Sequence, residues 1–201
     1  MKRTLILLAG PPATGKSYLI NKIREVIPDF FLITPDELKE MFADKYGFKN
    51  LKEKSDLEVK VWAFYYDILS RYMSVGKKII ISEYPFSDKQ KNNLNSLALA
   101  NDYQIITIRL VADFDSLWHR RQLRDLEKDR HLSHLMSHYQ AGDQLCNRTL
   151  ADNHISKEDF ANIISQRQYN DFKLGTLFEI DVSDFSQVDY NDLLLKLKSE
   201  L

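Results

Sequence analysis

The stretch from Thr4 to Val26 constrains the fold of this chain more than any other part of its sequence. It opens with Thr4–Ala9, a continuous aliphatic run of the kind found in strands that are covered on both faces. The next residues, GPPATGKS at 10–17, fit the pattern G-x-x-x-x-G-K-[ST] and lead into a helical pattern at Tyr18–Val26. A strand, such a turn and a helix in this order predict a loop whose backbone N–H groups surround phosphate oxygens.

Each residue type in this loop has a chemical role. The glycines allow the backbone to curl, and the helix that follows adds the partial positive charge of its N-terminus. Lys16 is placed to reach the β- and γ-phosphates of a nucleotide, and the Ser17 hydroxyl to join the shell of a Mg²⁺ ion. A glycine-rich turn without a ligand is the alternative, which the flanking strand and helix disfavour. The predicted cofactors are ATP and Mg²⁺, and the predicted nucleotide-binding residues are Gly10, Pro11, Pro12, Ala13, Thr14, Gly15, Lys16 and Ser17.

Further aliphatic runs alternate with helical patterns along the rest of the chain. This order is typical of an α/β fold with a doubly wound parallel sheet, in which ligands bind at the carboxyl ends of the strands. Because the sequence shows no internal repeat and no Gly/Ser-rich linker, we predict a single domain over residues 1–201. The strands predicted after the first are Phe30–Ile33, Lys78–Ser82, Tyr103–Leu110 and Thr176–Ile180.

Two helical patterns carry start signals, and one segment differs from the rest. Residues 34–37, Thr-Pro-Asp-Glu, have the form of a capping box, and residues 55–58, Ser-Asp-Leu-Glu, predict a second start. The polar, charge-dense stretch at 122–156 follows the fourth strand's helix and is predicted to be a mobile helical lid. The apolar faces predicted for the two helices are Leu38, Met41, Phe42 and Tyr46 for the first, and Leu57, Val61, Phe64, Ile68 and Tyr72 for the second.

Composition narrows the class of protein. The 28 basic and 29 acidic residues nearly cancel, so no overall field draws the chain to nucleic acid or to a membrane. Cys146 is alone, which excludes an internal disulfide and indicates a core or near-surface thiol in a reducing compartment. The opening apolar run is shorter than the roughly 7–15 residues of a secretory signal. No run approaches the roughly 20 apolar residues of a membrane span, so the predicted location is the cytoplasm.

With these patterns in place, the sequence resembles P-loop kinases of the nucleoside-kinase-like class, related to the zeta-toxin-like and polynucleotide-kinase-like small kinases. In that class an aspartate just beyond the second strand orients or deprotonates the acceptor, and Asp36 matches it. The resemblance therefore implies a catalytic role for Asp36. The alternative is a carboxylate that is favoured in the first turn by the helix dipole, and the same residue can serve both purposes.

The strand that ends at Glu83 resembles a Walker-B strand, whose terminal acid holds Mg²⁺ or its water. Related sequences usually carry aspartate at this place, whereas this chain has Glu83. Direct Mg²⁺ coordination, contact through water, contact with substrate and a solvated strand end all stay open for this residue.

The segment after the fourth strand is rich in arginine. Similar kinases carry lid arginines there that stabilise negative charge on the transferring phosphoryl group, which implies this role for Arg120 and Arg124. These two residues share a helical face, while Arg121 points elsewhere. A solvated basic face is the alternative. Residues 130–134, Arg-His-Leu-Ser-His, resemble an R-H-x-x-H found in some relatives, with exposed histidines as the favoured interpretation.

The predicted function is that of an ATP-dependent kinase that transfers the γ-phosphate to a hydroxyl of a small molecule. The acceptor pocket is predicted between Asp36, the helix after it and the aromatic residues 62–66. A polynucleotide 5′-hydroxyl kinase is one alternative; it requires a basic channel with stacking aromatics, which the near-zero net charge disfavours. A nucleotide-controlled switch or regulatory ATPase is another. The sequence contains neither an N-K-x-D motif nor an ABC-type signature, which argues against translation-factor-like GTPases and transporter ATPases.

Overall fold

The protein is described from a computed structural model that covers residues 2–201, so Met1 of the predicted domain lies outside the described residues. Strands and helices alternate along these residues, as the sequence predicts. The strands are β1 (Thr4–Ala9), β2 (Phe31–Ile33), β3 (Ile79–Glu83), β4 (Gln104–Val111) and β5 (Thr176–Asp181). The helices are α1 (Lys16–Val26), α2 (Pro35–Tyr46), α3 (Leu51–Ser74), α4 (Asp88–Ala100), α5 (Phe114–Asp125), α6 (Lys157–Arg167) and α7 (Tyr190–Glu200).

The strands form one parallel sheet with β1 at its centre. Over residues 2–201 its order is β2-β3-β1-β4-β5, with every neighbouring pair parallel. This confirms the predicted doubly wound α/β fold. The carboxyl ends of all five strands lie at one edge of the sheet, which is where a ligand site is expected.

Alternate residues of β1 enter two different cores. Ile6 and Leu8 pack on one face with α1 and α7, while Leu5 and Leu7 pack on the other face with α3 and α4. Because both faces are covered, the strand is apolar throughout rather than alternating. Each fully buried aliphatic side chain of this kind stabilises the fold by about 1.5–3 kcal/mol, so the loop that follows β1 starts from a rigid point.

The structure corrects the predicted start and face of α3. The helix begins at Leu51, where the Asn50 side chain accepts a hydrogen bond of 2.9 Å from the Glu53 backbone N–H. This cap lies five residues before the predicted start at Ser55. Phe64 is 38% exposed, so the predicted face is wrong there, while Ile68 and Tyr72 are partly buried against the core. The buried stripe recurs at every fourth residue and consists of Leu57, Val61, Tyr65, Leu69 and Met73, of which the last three pack in the core that contains Leu5 and Leu7.

Helix α2 starts as predicted, at Pro35, but its cap and its buried face differ from the prediction. The Thr34 side chain makes no capping hydrogen bond, and its hydroxyl oxygen is buried without a partner in the described chain. Met41 and Tyr46 are exposed, while Pro35 and Ala43 are the buried residues. The helix therefore keeps much of its predicted apolar face in contact with solvent.

Residues 126–156, which we call the strap, are not the predicted helical lid. Helix α5 ends at Asp125, and beyond it the strap contains two short 3-10 turns, Leu132–His134 and Arg148–Leu150. Polar side chains compete with helix formation there: the Asn147 side chain, for example, accepts a hydrogen bond from the Thr149 backbone N–H. The strap contains Cys146, which is exposed. Whether it moves as a lid stays a prediction.

The strap packs on α2 and α3. The backbones of Phe48 and Tyr139 exchange two hydrogen bonds of 2.8 and 2.7 Å in an isolated antiparallel bridge. Leu132 and Tyr139 join a small apolar cluster with Ala43, Phe48 and Leu57. Across residues 2–201, no helix combines the length and apolarity that a membrane crossing needs.

Candidate functional site

The loop after β1 adopts a backbone that its sequence makes accessible. Gly10, Ala13 and Gly15 all have positive φ angles, of 116°, 70° and 79°. A Cβ atom at Gly10 would overlap the backbone carbonyl of Leu110 in the neighbouring strand, so only glycine fits there. The loop is thus pressed against the carboxyl end of β4, with α1 beginning directly after Gly15.

Lys16 lies inside this loop rather than pointing away from it. Its Nζ atom donates hydrogen bonds to the carbonyl oxygens of Gly10 and Pro11, at 3.1 and 2.9 Å, and contacts the Thr14 hydroxyl at 3.3 Å. The side chain is almost fully buried, and this burial lowers its pKa to about 8, against the opposing effect of the Glu83 charge. The ammonium group is therefore held at the centre of the loop, where a phosphate chain would lie.

The structure brings Ser17 and Glu83 together. The register of β1 and β3 pairs Leu8 with Glu83, and the Ser17 hydroxyl lies 3.0 and 3.1 Å from the two Glu83 carboxylate oxygens. Mg²⁺ prefers oxygen ligands and is commonly bound through one or two protein groups plus phosphate oxygens and water. The paired hydroxyl and carboxylate fit that requirement. Within residues 2–201 no group of three or more His, Cys, Asp or Glu side chains forms a metal cage, as expected for such a site.

Asp36 sits in the first turn of α2, at the same edge of the sheet. Its side chain is 47% exposed, and its Oδ1 lies 3.6 Å from the Lys39 ammonium. Burial alone would raise the pKa of Asp36, but the positive charges around it, first that of Lys39 and then those of His134, Arg130 and Arg124, lower it below its usual value. Asp36 is therefore an ionised, accessible acceptor of hydrogen bonds.

Lys39 and Tyr84 support Asp36, and the sequence analysis did not find either of them. Lys39 donates a hydrogen bond of 2.9 Å to the Tyr84 hydroxyl and lies 3.7 Å from Glu58. Burial alone would lower the pKa of Lys39, but Tyr84, Asp36 and Glu58 together raise it. The spacing of three residues between Asp36 and Lys39 was the available signal. The link to Tyr84, directly after β3, had none.

The aromatic residues predicted at the acceptor pocket divide between site and core. Trp62 meets the Tyr84 ring edge to face with 5.0 Å between centroids, which connects it to the Asp36 surroundings. Tyr65 is fully buried, and its hydroxyl lies 2.9 Å from that of Ser82. Trp62 thus lies near the predicted pocket, whereas Tyr65 belongs to the core.

Arg120 and Arg124 lie on one side of α5 and line the same cavity as the loop. This cavity has a volume of about 370 Å³, and its walls include Gly15, Lys16 and Glu83. Arg120 donates hydrogen bonds to the carbonyl oxygens of Val182 and Ser183, at 2.8 and 2.7 Å. Its guanidinium also lies 3.7 Å from the ring centroid of Phe185. A contact between Arg120 and the transferring phosphoryl group would have to break these bonds, so that role stays a prediction.

Arg121 points away from this cavity, as predicted. Its Nε atom lies 3.2 Å from Asp125 Oδ2, and its guanidinium lies over the Phe160 ring at 5.0 Å. Asp125 is almost completely buried at the end of α5. The pattern of the sequence did not single out Asp125, because an acidic residue at a helix end normally faces solvent.

His131 and His134 of the strap are not exposed, which corrects the sequence-based interpretation. His131 Nε2 lies 3.2 Å from Asp44, and His134 Nε2 lies 2.7 Å from Glu40. Both carboxylates belong to α2. Burial lowers the pKa of His134, against the opposing effect of Glu40. The histidines therefore connect the strap to the helix that carries Asp36.

Comparison with known proteins agrees with this geometry. The pattern of a family described as an AAA domain matches residues 5–147, well over half of the chain. The chain belongs to this family. Its fold, with the strand, loop and helix described above, is that of a small P-loop kinase, and such a fold implies nucleotide binding. The comparison with curated proteins gives no match.

Two solved structures resemble this chain over nearly their whole length. A "putative kinase" from Chloroflexus aurantiacus J-10-fl is 22% identical, with a TM-score of 0.76 and coverage of 100% of both chains. The tunicamycin resistance protein of Deinococcus radiodurans is 16% identical, with a TM-score of 0.53 and coverage of 98% of this chain and 95% of that one. At these identities the likeness establishes the fold and leaves the substrate open.

Proposed function

We propose that this protein is an ATP- and Mg²⁺-dependent kinase that transfers the γ-phosphoryl group to a hydroxyl of a small molecule. The observation that carries the proposal is that a candidate phosphate site and a candidate acceptor-binding carboxylate lie at the same edge of the sheet. Lys16, Ser17 and Glu83 form a place for a phosphate chain. The accessible carboxylate of Asp36 lies at the same sheet edge, because Ile33 at the end of β2 pairs with Ser82, the residue before Glu83. The kinase description of the Chloroflexus aurantiacus protein is consistent with this assignment.

The proposed reaction uses these residues as follows. The acceptor oxygen forms a bond to the γ-phosphorus, while the bond from that phosphorus to the bridging oxygen breaks and ADP leaves with the electron pair. Lys16 offsets charge on the β- and γ-phosphate oxygens. Ser17 and Glu83 would hold Mg²⁺, whose charge further neutralises the phosphates. Arg124, which lines the same cavity, would offset charge that develops on the phosphoryl group.

Asp36 would orient the acceptor hydroxyl and accept its proton late in the reaction, before the proton passes to solvent. Its pKa is lowered by the surrounding positive charges, so it is a weak base at neutral pH. In a loose transition state for phosphoryl transfer, however, the position of the attacking oxygen matters more than the basicity of the group that holds it. A fixed, ionised carboxylate is suited to that task.

The direct test is a measurement of ADP release from ATP·Mg²⁺ in the presence of a panel of hydroxyl compounds, followed by identification of the phosphorylated product. We expect release that depends on an acceptor and is lost in both Lys16→Ala and Asp36→Asn. Slow hydrolysis that no acceptor stimulates, with Asp36→Asn equal to the parent protein, would contradict the kinase proposal and favour a nucleotide switch.

A further inference from the structure

Four charged side chains meet where α5 ends and the strap begins. The carboxylate of Asp125 has its Oδ2 at 3.2 Å from Arg121 Nε and its Oδ1 at 4.0 Å from Arg124 Nε and 3.8 Å from Arg130 Nε. The Asp125 side chain is only 7% exposed. Three guanidinium groups therefore share one buried carboxylate, which leaves an excess of two positive charges.

The hydrogen bonding of this cluster is incomplete. The Nε atoms of all three arginines, and Asp125 Oδ1, are buried without a hydrogen-bond partner among residues 2–201. Among residues 2–201, Asp125 is the only carboxylate within ion-pair distance of Arg124 or Arg130. Burial of charged groups without partners is strongly unfavourable. An oxyanion is the ligand that completes such a cluster, because carboxylates and phosphates accept parallel N–H bonds from guanidinium groups.

The three arginines face three different places. Arg121 lies against Phe160, and Arg124 lines the nucleotide cavity with Gly15 and Lys16. Arg130 does not line that cavity; it lines another, of about 520 Å³, whose walls come from residues 128–148. The side chain of Arg130 is 16% exposed and forms part of the wall of this cavity.

Arg130 also faces the acceptor side of the site. Its charge is one of those that lower the pKa of Asp36, yet the two side chains do not form an ion pair. Glu40, one turn further along α2, is engaged by the His134 hydrogen bond. Arg130 shares Asp125 with Arg124, which lines the nucleotide cavity, and its neighbour His131 lies 3.2 Å from Asp44 on α2. A molecule whose hydroxyl lies against Asp36 would therefore extend toward Arg130.

We propose that Arg130 binds an anionic group of the acceptor, so that the acceptor is a hydroxyl-bearing carboxylate or phosphate ester rather than a neutral polyol. The inference rests on the proposed kinase function for the identity of the ligand. An oxyanion bound at this cluster can belong to the acceptor or to the γ-phosphate of the nucleotide. Variants of Arg124 and Arg130 distinguish these two sources, because the two arginines line different cavities.

The first experiment measures binding with inorganic phosphate as the probe, after the loop has been filled with a non-hydrolysable ATP analogue and Mg²⁺. We expect phosphate to raise the melting temperature of the loaded parent protein further, and this increment to disappear in Arg130→Met. Affinity for the analogue should fall roughly tenfold or more in Arg124→Met but by less than about threefold in Arg130→Met, since a charged hydrogen bond is lost only in the former. Arg71→Met is the control, because Arg71 is 74% exposed and pairs only with Asp67.

The second experiment compares kcat/KM for pairs of acceptors that differ only in one carboxylate or phosphate group. We expect kcat/KM to be higher for the anionic member of each pair. Arg130→Met should lower the ratio of the two kcat/KM values roughly 10- to 100-fold and leave kcat/KM for the neutral member unchanged. Arg130→Lys keeps the charge and should retain part of the preference. This partial retention also separates lost recognition from misfolding, which would reduce both acceptors equally.

Three results would overturn the proposal. They are an equal loss of analogue affinity in Arg124→Met and Arg130→Met, a phosphate increment that survives in Arg130→Met, and a preference for neutral acceptors. If no acceptor stimulates ATP consumption, the kinase function fails, but the phosphate titration still decides whether Arg130 holds an oxyanion beside an occupied nucleotide site.

Discussion

The loop at residues 10–17 and the strap at 126–156 both contribute residues to the candidate site, and their hydrogen bonds differ in range. In the loop, Lys16 and Thr14 bond to groups that lie between two and six residues away in the chain. In the strap, the side chains of His131, His134 and Tyr139 bond to carboxylates that lie 87, 94 and 95 residues away. The loop is shaped by its own residues, whereas the strap takes its shape from α2.

The two regions also differ in how completely their charges are matched. The ammonium of Lys16 has three oxygen partners within the loop itself. At the start of the strap, by contrast, Arg130 has an ion pair at 3.8 Å but no partner for its buried Nε atom in the described chain. Lys16 is thus hydrogen-bonded within the loop itself, whereas Arg130 Nε at the start of the strap has no such partner among the described residues.

A change at Asp36 is expected to have the largest effect. Asp36 lies on α2, the helix that the strap contacts, and at the sheet edge where the loop also lies. We expect Asp36→Asn to lower turnover by roughly 10²–10⁴-fold, the usual range for a group that orients or accepts the reacting proton. Nucleotide affinity and melting temperature should stay unchanged. Steady-state kinetics, nucleotide titration and thermal melting check these three quantities.

The matched control is Glu37→Gln, which removes an exposed carboxylate from the same helical turn. If Asp36 only favours the start of α2, both variants should lose on the order of 0.3–1 kcal/mol of stability and keep full activity. Turnover of Asp36→Asn within about threefold of the parent protein, far from the expected range, would remove Asp36 from the reaction.

A substitution of Lys16 tests the role of the loop in the same reaction. Lys16→Ala should reduce turnover by roughly 10²–10³-fold, because one preorganised donor to the developing charge is lost. The fold should stay intact, since β1 and the two cores around it are unaffected. Lys22→Ala, also on α1 but paired with Glu25 at the surface, is the control. Normal turnover of Lys16→Ala at saturating ATP would mean that the loop does not serve phosphoryl transfer.

Substitution of one glycine in the loop and one in the strap compares the rigidity of these two regions. Gly10 and Gly142 both have positive φ angles, of 116° and 94°. A Cβ atom at Gly10 would overlap Leu110, whereas at Gly142 nothing lies within 4 Å. We expect Gly10→Ala to lower the free energy of unfolding by about 3 kcal/mol or more, from strain and overlap together, and Gly142→Ala by only about 1 kcal/mol.

Chemical denaturation of both variants measures this difference. At about 2–4 °C per kcal/mol for a chain of this size, the two melting temperatures should be separated by several degrees. Equal losses would show that the strap is held as rigidly as the loop, which would remove the contrast between them.

His134 gives the smallest expected effect and a dependence on pH. It faces Glu40 and Asp36 on α2 and Arg130 in the strap, and its pKa is lowered chiefly by burial. Because the pKa is lowered in the folded protein, the unfolded chain binds the proton more readily. Neutral His134 therefore contributes its full stabilisation above about pH 6.5, and this stabilisation is lost as the pH falls below that value. Loss of the hydrogen bond in His134→Gln should cost roughly 0.5–1.5 kcal/mol at pH 8.

Thermal melts of the parent protein and His134→Gln between pH 5.5 and 8 check this prediction. The difference between them should shrink as the pH falls, while His119→Gln, on an exposed position of α5, should follow the parent protein at every pH. A difference that grows toward acid pH would mean that the His134–Glu40 pair is stabilised by protonation, and the assigned direction would be wrong.

The same contrast explains which features could be predicted. The strands, the order of elements and the loop were accessible from the sequence, because continuous apolar runs and a glycine-rich turn encode local geometry. The face of α3 was predicted correctly at Leu57 and Val61 but not at Phe64, since the choice between neighbouring helical stripes depends on which one meets the sheet. His131 and His134 were expected to be exposed, because their carboxylate partners are distant in the chain.

What the sequence determined by itself is therefore the α/β fold and the loop at residues 10–17, whose hydrogen bonds join residues no more than six apart. Only the tertiary structure decided what surrounds Asp36. Lys39, Tyr84, Arg130 and His134 come from three separate parts of the chain, and long-range packing of α2 against the strap and β3 brings them together. Electrostatic effects depend on distance in space rather than in sequence, so the charge and chemistry of the acceptor side appear only in the folded molecule.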